Sequence, residues 1–261
     1  IIMSALIWLP FPLILMIGLA IVFGHNLLDA PEAARKGNVG LVWNILHRNT
    51  FVPIGGGRGI VFFYAFPVWC GVMILGYCFG KLYSKRMEAN YRQKVLVLLG
   101  SGAVMLFILL RFINGYGDPV AWSVQKNGAL SVVSFFNVNK YPPSLMYCLM
   151  TLGPAILFLA FFERTQNRLS RFFITFGRVP FFYYVLHIFL IHALCMIAFF
   201  LSGYGLNDLK LQPFYFRPAR FGFDLWAVYA IWASVVLMLY PLCKWYNKYK
   251  MNHNHWVLSY V

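Results

Sequence analysis

The sequence predicts an all-α fold, a polytopic transmembrane helical bundle with about six spans in this chain. Hydrophobic residues make up 61% of the 261 residues and charged residues only 11%, whereas a soluble domain carries about 25% charged residues. The apolar residues are concentrated in six long stretches without charges. A helix needs roughly 20 such residues to cross the hydrocarbon layer of a bilayer. Composition and patterning together therefore exclude a soluble globular protein.

The predicted spans are 1–24, 59–80, 95–113, 142–162, 179–201 and 225–243. In the first span, Pro10 and Pro12 favour a kinked helix. It starts inside an apolar run, without a charged leader region, and we expect this chain to be the C-terminal part of a longer protein. An outer loop with the amphipathic fragment Leu41–Leu46 follows. A triple glycine before Arg58 indicates a flexible connector to the second span.

The later spans end in polar or basic segments. The third span closes with Arg111, which can reach the lipid headgroups. Pro142 and Pro143 suit the first turn of the fourth span, and a basic, aromatic tail follows the sixth. With neither an internal repeat nor a low-complexity linker, residues 1–261 are expected to form a single transmembrane domain.

The net charge of +15 does not indicate nucleic-acid binding, because the basic residues alternate with the predicted spans. Short segments at 81–94 and 163–178 and the tail after Cys243 are rich in Lys and Arg. The positive-inside rule places these segments and the C-terminus in the cytoplasm. The five cysteines all lie inside predicted spans without close pairing, so we interpret them as packing residues and predict no metal site.

Ionisable residues inside a span are costly and call for an explanation. His187 and His192 lie deep in the fifth span, five residues apart, so they do not share a helix face. Tyr183 and His187 are four apart, share a stripe and are candidates for lining a pore or relaying protons. The alternative is that both histidines are neutral and hydrogen-bonded to neighbouring helices.

Other polar residues collect at the predicted outer ends of the spans. His25 and Asp29 are four apart, so the carboxylate could orient the imidazole if the helix continues. Arg111 is a candidate for binding a phosphate or carboxylate. The remaining candidates for substrate binding are Asp118, Lys140, Tyr141, Ser144, Tyr183 and His192. For the residues at the span ends, namely His25, Asp29, Arg111, Asp118, Lys140, Tyr141 and Ser144, an interfacial anchor or a loop cap is the alternative.

Several strings resemble a known family. They are GHNLLD at 24–29, LR at 110–111 with YGDP at 116–119, KYPPSL at 140–145, FGRVPFFYYVLHIFLIH at 176–192, LYPLCKWY at 239–246 and WVLSY at 256–260. In this order, along essentially the whole chain, they resemble the bacterial membrane family of unassigned function that is related to the catalytic domain of heparan-α-glucosaminide N-acetyltransferase.

The resemblance implies an acyltransferase-like fold of about ten spans in a bacterial cytoplasmic (inner) membrane. It also implies acetyl-CoA as donor and a sugar or glycan amine or hydroxyl as acceptor. The presumed catalytic histidine of the family belongs to a segment that these 261 residues do not contain. Within this chain, the candidates for catalysis are therefore His25, Asp29 and His187.

Two functions follow as hypotheses. One is an integral membrane acyltransferase that moves an acyl group from acyl-CoA to an envelope glycan. The other is a non-enzymatic membrane subunit or transporter on the same scaffold. The expected partners are membrane lipids, a glycan acceptor and further copies or subunits of a membrane complex, but no nucleic acid.

Overall fold

The computed structural model describes residues 2–34, 40–47, 50–56, 58–62, 66–165, 167–209, 220–253 and 255–259. It confirms the predicted all-α class, with helices long and apolar enough to cross a membrane. These helices are Phe11–Ala34, Phe66–Tyr83, Ala89–Ile113, Leu145–Phe162, Pro180–Leu201 and Leu225–Asn252. The protein is an integral membrane protein. Its chain forms two compact units, Ile1–Arg164 and Thr165–Val261, and a single domain over 1–261 stays a prediction.

The first unit contains a helical bundle and one short hairpin. Its elements are α1 (Ile2–Leu6), α2 (Phe11–Gly24), α3 (Asp29–Ala34), α4 (Leu41–His47), β1 (Thr50–Gly55), β2 (Arg58–Phe62), α5 (Phe66–Phe79), α6 (Ala89–Ile113), α7 (Gly128–Phe136) and α8 (Leu145–Phe162). A 3-10 turn, His25–Leu28, continues α2 into α3. The helical path that begins after Pro10 therefore extends ten residues beyond the predicted end of the first span.

A β-hairpin replaces the connector and the beginning of the predicted second span. Strands β1 and β2 pair antiparallel, with Thr50 opposite Phe62 and Val52 opposite Ile60. Gly55 and Gly56 have positive φ angles of 101° and 58°, which glycine adopts without the steric cost that a Cβ imposes. The helix α5 then begins at Phe66, seven residues later than predicted. Residues 63–65 of the predicted span lie outside the described residues.

Glycines allow the helices of the first unit to approach closely. A Cβ on Gly100 of α6 would lie 2.7 Å from Cγ of Leu157 in α8, and one on Gly153 of α8 would meet α6 at 2.9 Å. Gly18 of α2 and Gly71 of α5 are equally crowded, with side-chain atoms of the facing helix at 2.8 and 2.7 Å. Small residues at such contacts bring two backbones together and increase van der Waals packing between membrane helices.

Helix α8 begins three residues later than the predicted fourth span. The Oγ of Ser144 accepts a hydrogen bond from the Tyr147 amide at 3.0 Å and forms the N-cap. A side-chain cap satisfies one of the amides that the first helical turn leaves without a partner. Pro142 and Pro143 therefore precede the helix and are not part of its first turn.

The second unit contains α9 (Arg168–Arg178), α10 (Pro180–Leu201) and α11 (Leu225–Asn252). Asn167 and Ser170 form a reciprocal capping box at the start of α9. The starts of α10 and α11 agree with the predicted fifth and sixth spans to within one residue. Helix α11 continues nine residues past the predicted end, so the basic, aromatic tail is largely part of the same helix.

Candidate functional site

His25 is a buried histidine, and one of its two ring nitrogens makes no hydrogen bond to the described residues. Its side chain lies in the 3-10 turn after α2, and the residue is only 8% exposed. Nδ1 lies 3.0 Å from the carbonyl oxygen of Val22 and 3.2 Å from that of Ile21. Because both neighbours are acceptors, we assign the proton to Nδ1, which donates to the end of α2. Nε2 is buried and makes no hydrogen bond in the described part of the chain, although the backbone carbonyl of Pro143 also faces the ring.

Asn26 connects this turn to the start of α8. Its Oδ1 accepts a hydrogen bond from the amide of Leu145 at 2.9 Å, and its Nδ2 donates to Oδ2 of Asp29 at 2.7 Å. The first contact joins residues 119 positions apart. Asn26 is itself buried, so these bonds hold the end of α2 against the N-terminus of α8. They also direct the Asp29 carboxylate toward Asn26.

A second histidine, His47 of α4, binds the carboxylates of α3. Its Nδ1 lies 2.7 Å from Oε2 of Glu32, and its Nε2 lies 3.3 Å from the carbonyl oxygen of His25 and 3.5 Å from Oδ1 of Asp29. The indole of Trp43 donates to the same Glu32 oxygen at 3.1 Å. Asp29 was predicted to orient His25, but its described contacts are with Asn26 and His47.

We call this group the histidine cluster: His25, Asn26, Asp29, Glu32, Trp43 and His47. It lies where α2 ends and α8 begins. One helical turn before His47, the Oδ1 of Asn44 is a further buried acceptor without a partner among the described residues. Carboxylates that orient an imidazole, beside a neutral imidazole with a free nitrogen, are the components of acid–base chemistry. The cluster can therefore accept a proton at Nε2 of His25.

Asp118 and Ser144 support the cluster from the other side of the α8 N-terminus. Oδ2 of Asp118 accepts from Oγ of Ser144 at 2.7 Å and from the amide of Asn139 at 2.8 Å. Its Oδ1 accepts from the amide of Val120 at 2.9 Å. Ser144 is almost completely buried. These contacts favour the loop-cap interpretation for both residues, and their predicted role in substrate binding stays a prediction.

Lys140 and Tyr141 are exposed on the loop that leads to Ser144. Nζ of Lys140 lies 5.1 Å from the centroid of the Tyr141 ring, within the range of a cation–π interaction. Nearby, the Tyr116 hydroxyl donates to the carbonyl oxygen of Phe23. Burial raises the pKa of Tyr116, and the negative charge of Asp29 raises it further.

Arg111 ties the end of α6 to α7. It is only 2% exposed, although the sequence suggested a side chain that reaches the headgroups. Its guanidinium donates to the carbonyl oxygens of Phe135 and Val120 at 2.9 Å, of Asn137 at 2.9 Å and of Ser134 at 3.2 Å. Three of these carbonyls belong to the last turn of α7 or follow it directly, where backbone acceptors lack helical partners. Its predicted role as a substrate ligand stays a prediction.

The remaining predicted residues belong to α10 of the second unit. The rings of Tyr183 and His187 stack with centroids 5.1 Å apart, and Nδ1 of His187 lies 3.2 Å from the Tyr183 carbonyl oxygen. This confirms that the two side chains share a stripe. His192 is exposed on the same helix. The predicted pore lining or proton relay at these residues stays a prediction.

The sequence analysis missed His47, Glu32 and Asn26. The i, i+4 spacing of Trp43 and His47 and the i, i+3 spacing of Asp29 and Glu32 were visible, but nothing local indicated that the two short helices meet. In the described ranges, no group of three or more His, Cys, Asp or Glu side chains is arranged to hold a metal ion.

Comparison of the chain with models of known protein families, with curated proteins and with solved structures finds no match. The family resemblance drawn from the sequence strings therefore stays a prediction.

Proposed function

We propose that the protein is an integral membrane acyltransferase that transfers an acetyl or longer acyl group from acyl-CoA to an amine or hydroxyl of an envelope sugar or glycan. The proposal places it in a bacterial cytoplasmic membrane with its C-terminus on the cytoplasmic side. The observation that carries it is the free, buried Nε2 of His25 at the histidine cluster. The resemblance of the sequence strings supplies the donor and the class of acceptor.

A buried acceptor without a partner costs about 1–3 kcal/mol. Such groups in native structures call for an explanation, and a catalytic role is one. The Nδ1 bonds to Val22 and Ile21 keep the His25 ring in one orientation and one tautomer. Nε2 is thereby the nitrogen left to take a proton.

In the proposed reaction, His25 acts as general base. Nε2 removes the proton from the acceptor amine or hydroxyl as that atom attacks the thioester carbonyl carbon. The new carbon–nitrogen or carbon–oxygen bond forms and the carbon–sulfur bond breaks. The CoA thiolate leaves and takes the proton back from Nε2. The backbone carbonyls that surround the ring and the carboxylate of Asp29 stabilise the transient imidazolium.

His47, Glu32 and Asp29 position the site in this proposal. The Glu32 carboxylate fixes Nδ1 of His47 at 2.7 Å, and Nε2 of His47 holds the backbone carbonyl of His25 at 3.3 Å. His47 therefore holds His25, the proposed base, through the backbone carbonyl of His25. The free Oδ1 of Asn44 supplies an acceptor for a hydroxyl of the sugar.

The test measures acyl transfer from radiolabelled acetyl-CoA to a glucosamine oligosaccharide by the purified full-length protein. His25→Asn keeps an amide donor near the position of Nδ1 and removes Nε2, so folding is preserved while the base is lost. We expect the rate to fall about 100- to 10,000-fold. His253→Asn, at the exposed residue that follows α11, serves as control and should leave the rate unchanged.

Equal activity of the wild type and His25→Asn would exclude His25 as the base. If the wild type neither binds acetyl-CoA nor turns it over, the enzyme proposal is wrong. A solute-flux assay in proteoliposomes then tests the non-enzymatic alternative.

A further inference from the structure

A strongly basic cleft lies in the second unit, between α9 and the C-terminal half of α11. Its volume is about 990 Å³, comparable with ligand sites of about 300–1,000 Å³. Five cationic side chains line it: Arg168, Arg171, Arg178, Lys244 and Lys248. No residue of the proposed acyl-transfer site belongs to this cleft.

Helical spacing explains why the cations face one another. Arg168, Arg171 and Arg178 are separated by three and seven residues, so they form one stripe along α9. Lys244 and Lys248 are four apart and form a stripe along α11. The aromatic side chains of α9 next to this stripe pack on the neighbouring helices.

In that aromatic face, the Phe172 ring packs on Tyr240 of α11 with centroids 4.6 Å apart, and Phe176 packs on Tyr183 of α10 at 5.1 Å. The arginines are therefore carried by a helix that packs on its neighbours through aromatic side chains. Arg178 adds one contact to α11, a hydrogen bond from its guanidinium to the Met251 sulfur at 3.3 Å.

The described residues supply no acid that neutralises the charge of the cleft. None of those that line it is a carboxylate. The carboxylate contacts found among the described residues are those of His47 with Asp29 and Glu32 and the ion pair of Arg92 with Glu163, all within the first unit. The N-cap of α11, Asp224, is twenty residues from Lys244, which corresponds to about 30 Å along the helix. Five cations facing one space repel each other, and an anion with several charges removes that repulsion.

Two features favour an anion at a membrane surface. Leu169 and Phe173 of α9 are 58% and 62% exposed, and Trp245 of α11, at the cleft itself, is 62% exposed. A short helix with arginines on one face and exposed apolar side chains on the opposite face is typical of helices that lie in the membrane interface. Tryptophan also favours the headgroup level. The exposed apolar side chains of α9 and the Trp245 ring at the cleft are therefore suited to contact with lipid.

We propose that this cleft is a binding site for the headgroup phosphates of anionic phospholipids. An arginine guanidinium group can bind two oxygens of one phosphate at once, and the two lysines add positive charge from the facing helix. Three arginines and two lysines match a headgroup with two phosphates, such as that of cardiolipin, better than a single one.

The experiment measures lipid binding to the full-length protein in detergent by native mass spectrometry. Cardiolipin and phosphatidylglycerol are titrated, with phosphatidylcholine as the neutral comparison. The variant combines Arg171→Gln, Lys244→Gln and Lys248→Gln. Its matched control combines Lys85→Gln, Arg86→Gln and Lys94→Gln, which removes the same charge from exposed positions of the first unit.

We expect the cleft variant to bind cardiolipin about a hundredfold more weakly than the wild type, and the control variant to bind it within about threefold of the wild type. Equal losses in both variants would show diffuse attraction to basic protein and overturn the proposal. So would unchanged binding by the cleft variant.

Soluble anions distinguish the source of the phosphate. Inorganic phosphate and CoA are added as competitors, and we expect neither to displace cardiolipin at equal concentration. Displacement by either one would overturn the lipid proposal. Because the readout is binding and not turnover, a failure here does not bear on acyl transfer, and an inactive enzyme does not bear on lipid binding.

Discussion

Replacing Arg111 tests whether this buried guanidinium builds the end of the bundle or binds a ligand. Arg111→Met keeps much of the side-chain volume and removes four hydrogen bonds to backbone carbonyls. Each bond to a charged group contributes about 1.5–3 kcal/mol to stability before the cost of burying the charge is subtracted. Removing the guanidinium leaves these buried carbonyls without a donor, and loss of such a hydrogen-bond network is among the substitutions with large effects, about 3–5 kcal/mol in all. We expect the free energy of unfolding to fall by that amount.

The assay is unfolding of the protein from mild micelles by increasing SDS, followed by circular dichroism. Arg111→Lys retains the charge but has only three donors on one nitrogen, so an intermediate loss is expected. The control is Arg86→Met, at an exposed position. If Arg111→Met is no less stable than the control, the structural role is refuted. If Arg111→Met instead lost acetyl-CoA binding while its stability stayed unchanged, the predicted role of Arg111 as a ligand-binding residue would be supported.

Two further predictions concern packing and pH. Gly100→Val should destabilise the first unit by about 1–3 kcal/mol, the usual cost of overpacking, because a Cβ there lies 2.7 Å from Leu157. On the same helix, a Cβ on Gly102 meets nothing within 4 Å, so Gly102→Val should be nearly neutral. The same SDS titration measures both variants, and equal losses of stability would contradict the close helix contact. The raised pKa of Tyr116 means that folding favours its protonated phenol. The stability advantage of the wild type over Tyr116→Phe should therefore be constant at lower pH and decline as the pH rises above the ordinary phenol pKa of about 10, and a pH-independent difference would contradict this.

The sequence predicted the spans well where hydrophobicity alone determines a helix. The starts of α10 and α11 were predicted to within one residue. In a membrane helix both the lipid-facing and the buried positions are apolar, so the apolar stretch of sequence has a clear boundary. It failed at residues 59–62, because a β-strand with Ile60 and Val61 is as apolar as the start of a membrane helix. Only the pairing with β1 through a glycine turn distinguishes the two.

Of the candidate site, the sequence identified His25, Asp29, Asp118 and Ser144 as polar residues at span ends but not their roles. The interpretation of Arg111 as a headgroup anchor was reasonable for an arginine at the end of a span. The structure buries it because the end of α7, more than twenty residues later in the chain, presents its carbonyls to the guanidinium.

Composition and order of residues by themselves determined that this protein is a membrane helical bundle, because transfer of a segment into lipid depends on consecutive residues. Which polar groups meet was decided by the tertiary structure. His47 reaches the carbonyl of His25 across 22 positions and Asn26 reaches Leu145 across 119. Contacts at such separations depend on how the helices pack, and no local pattern encodes them.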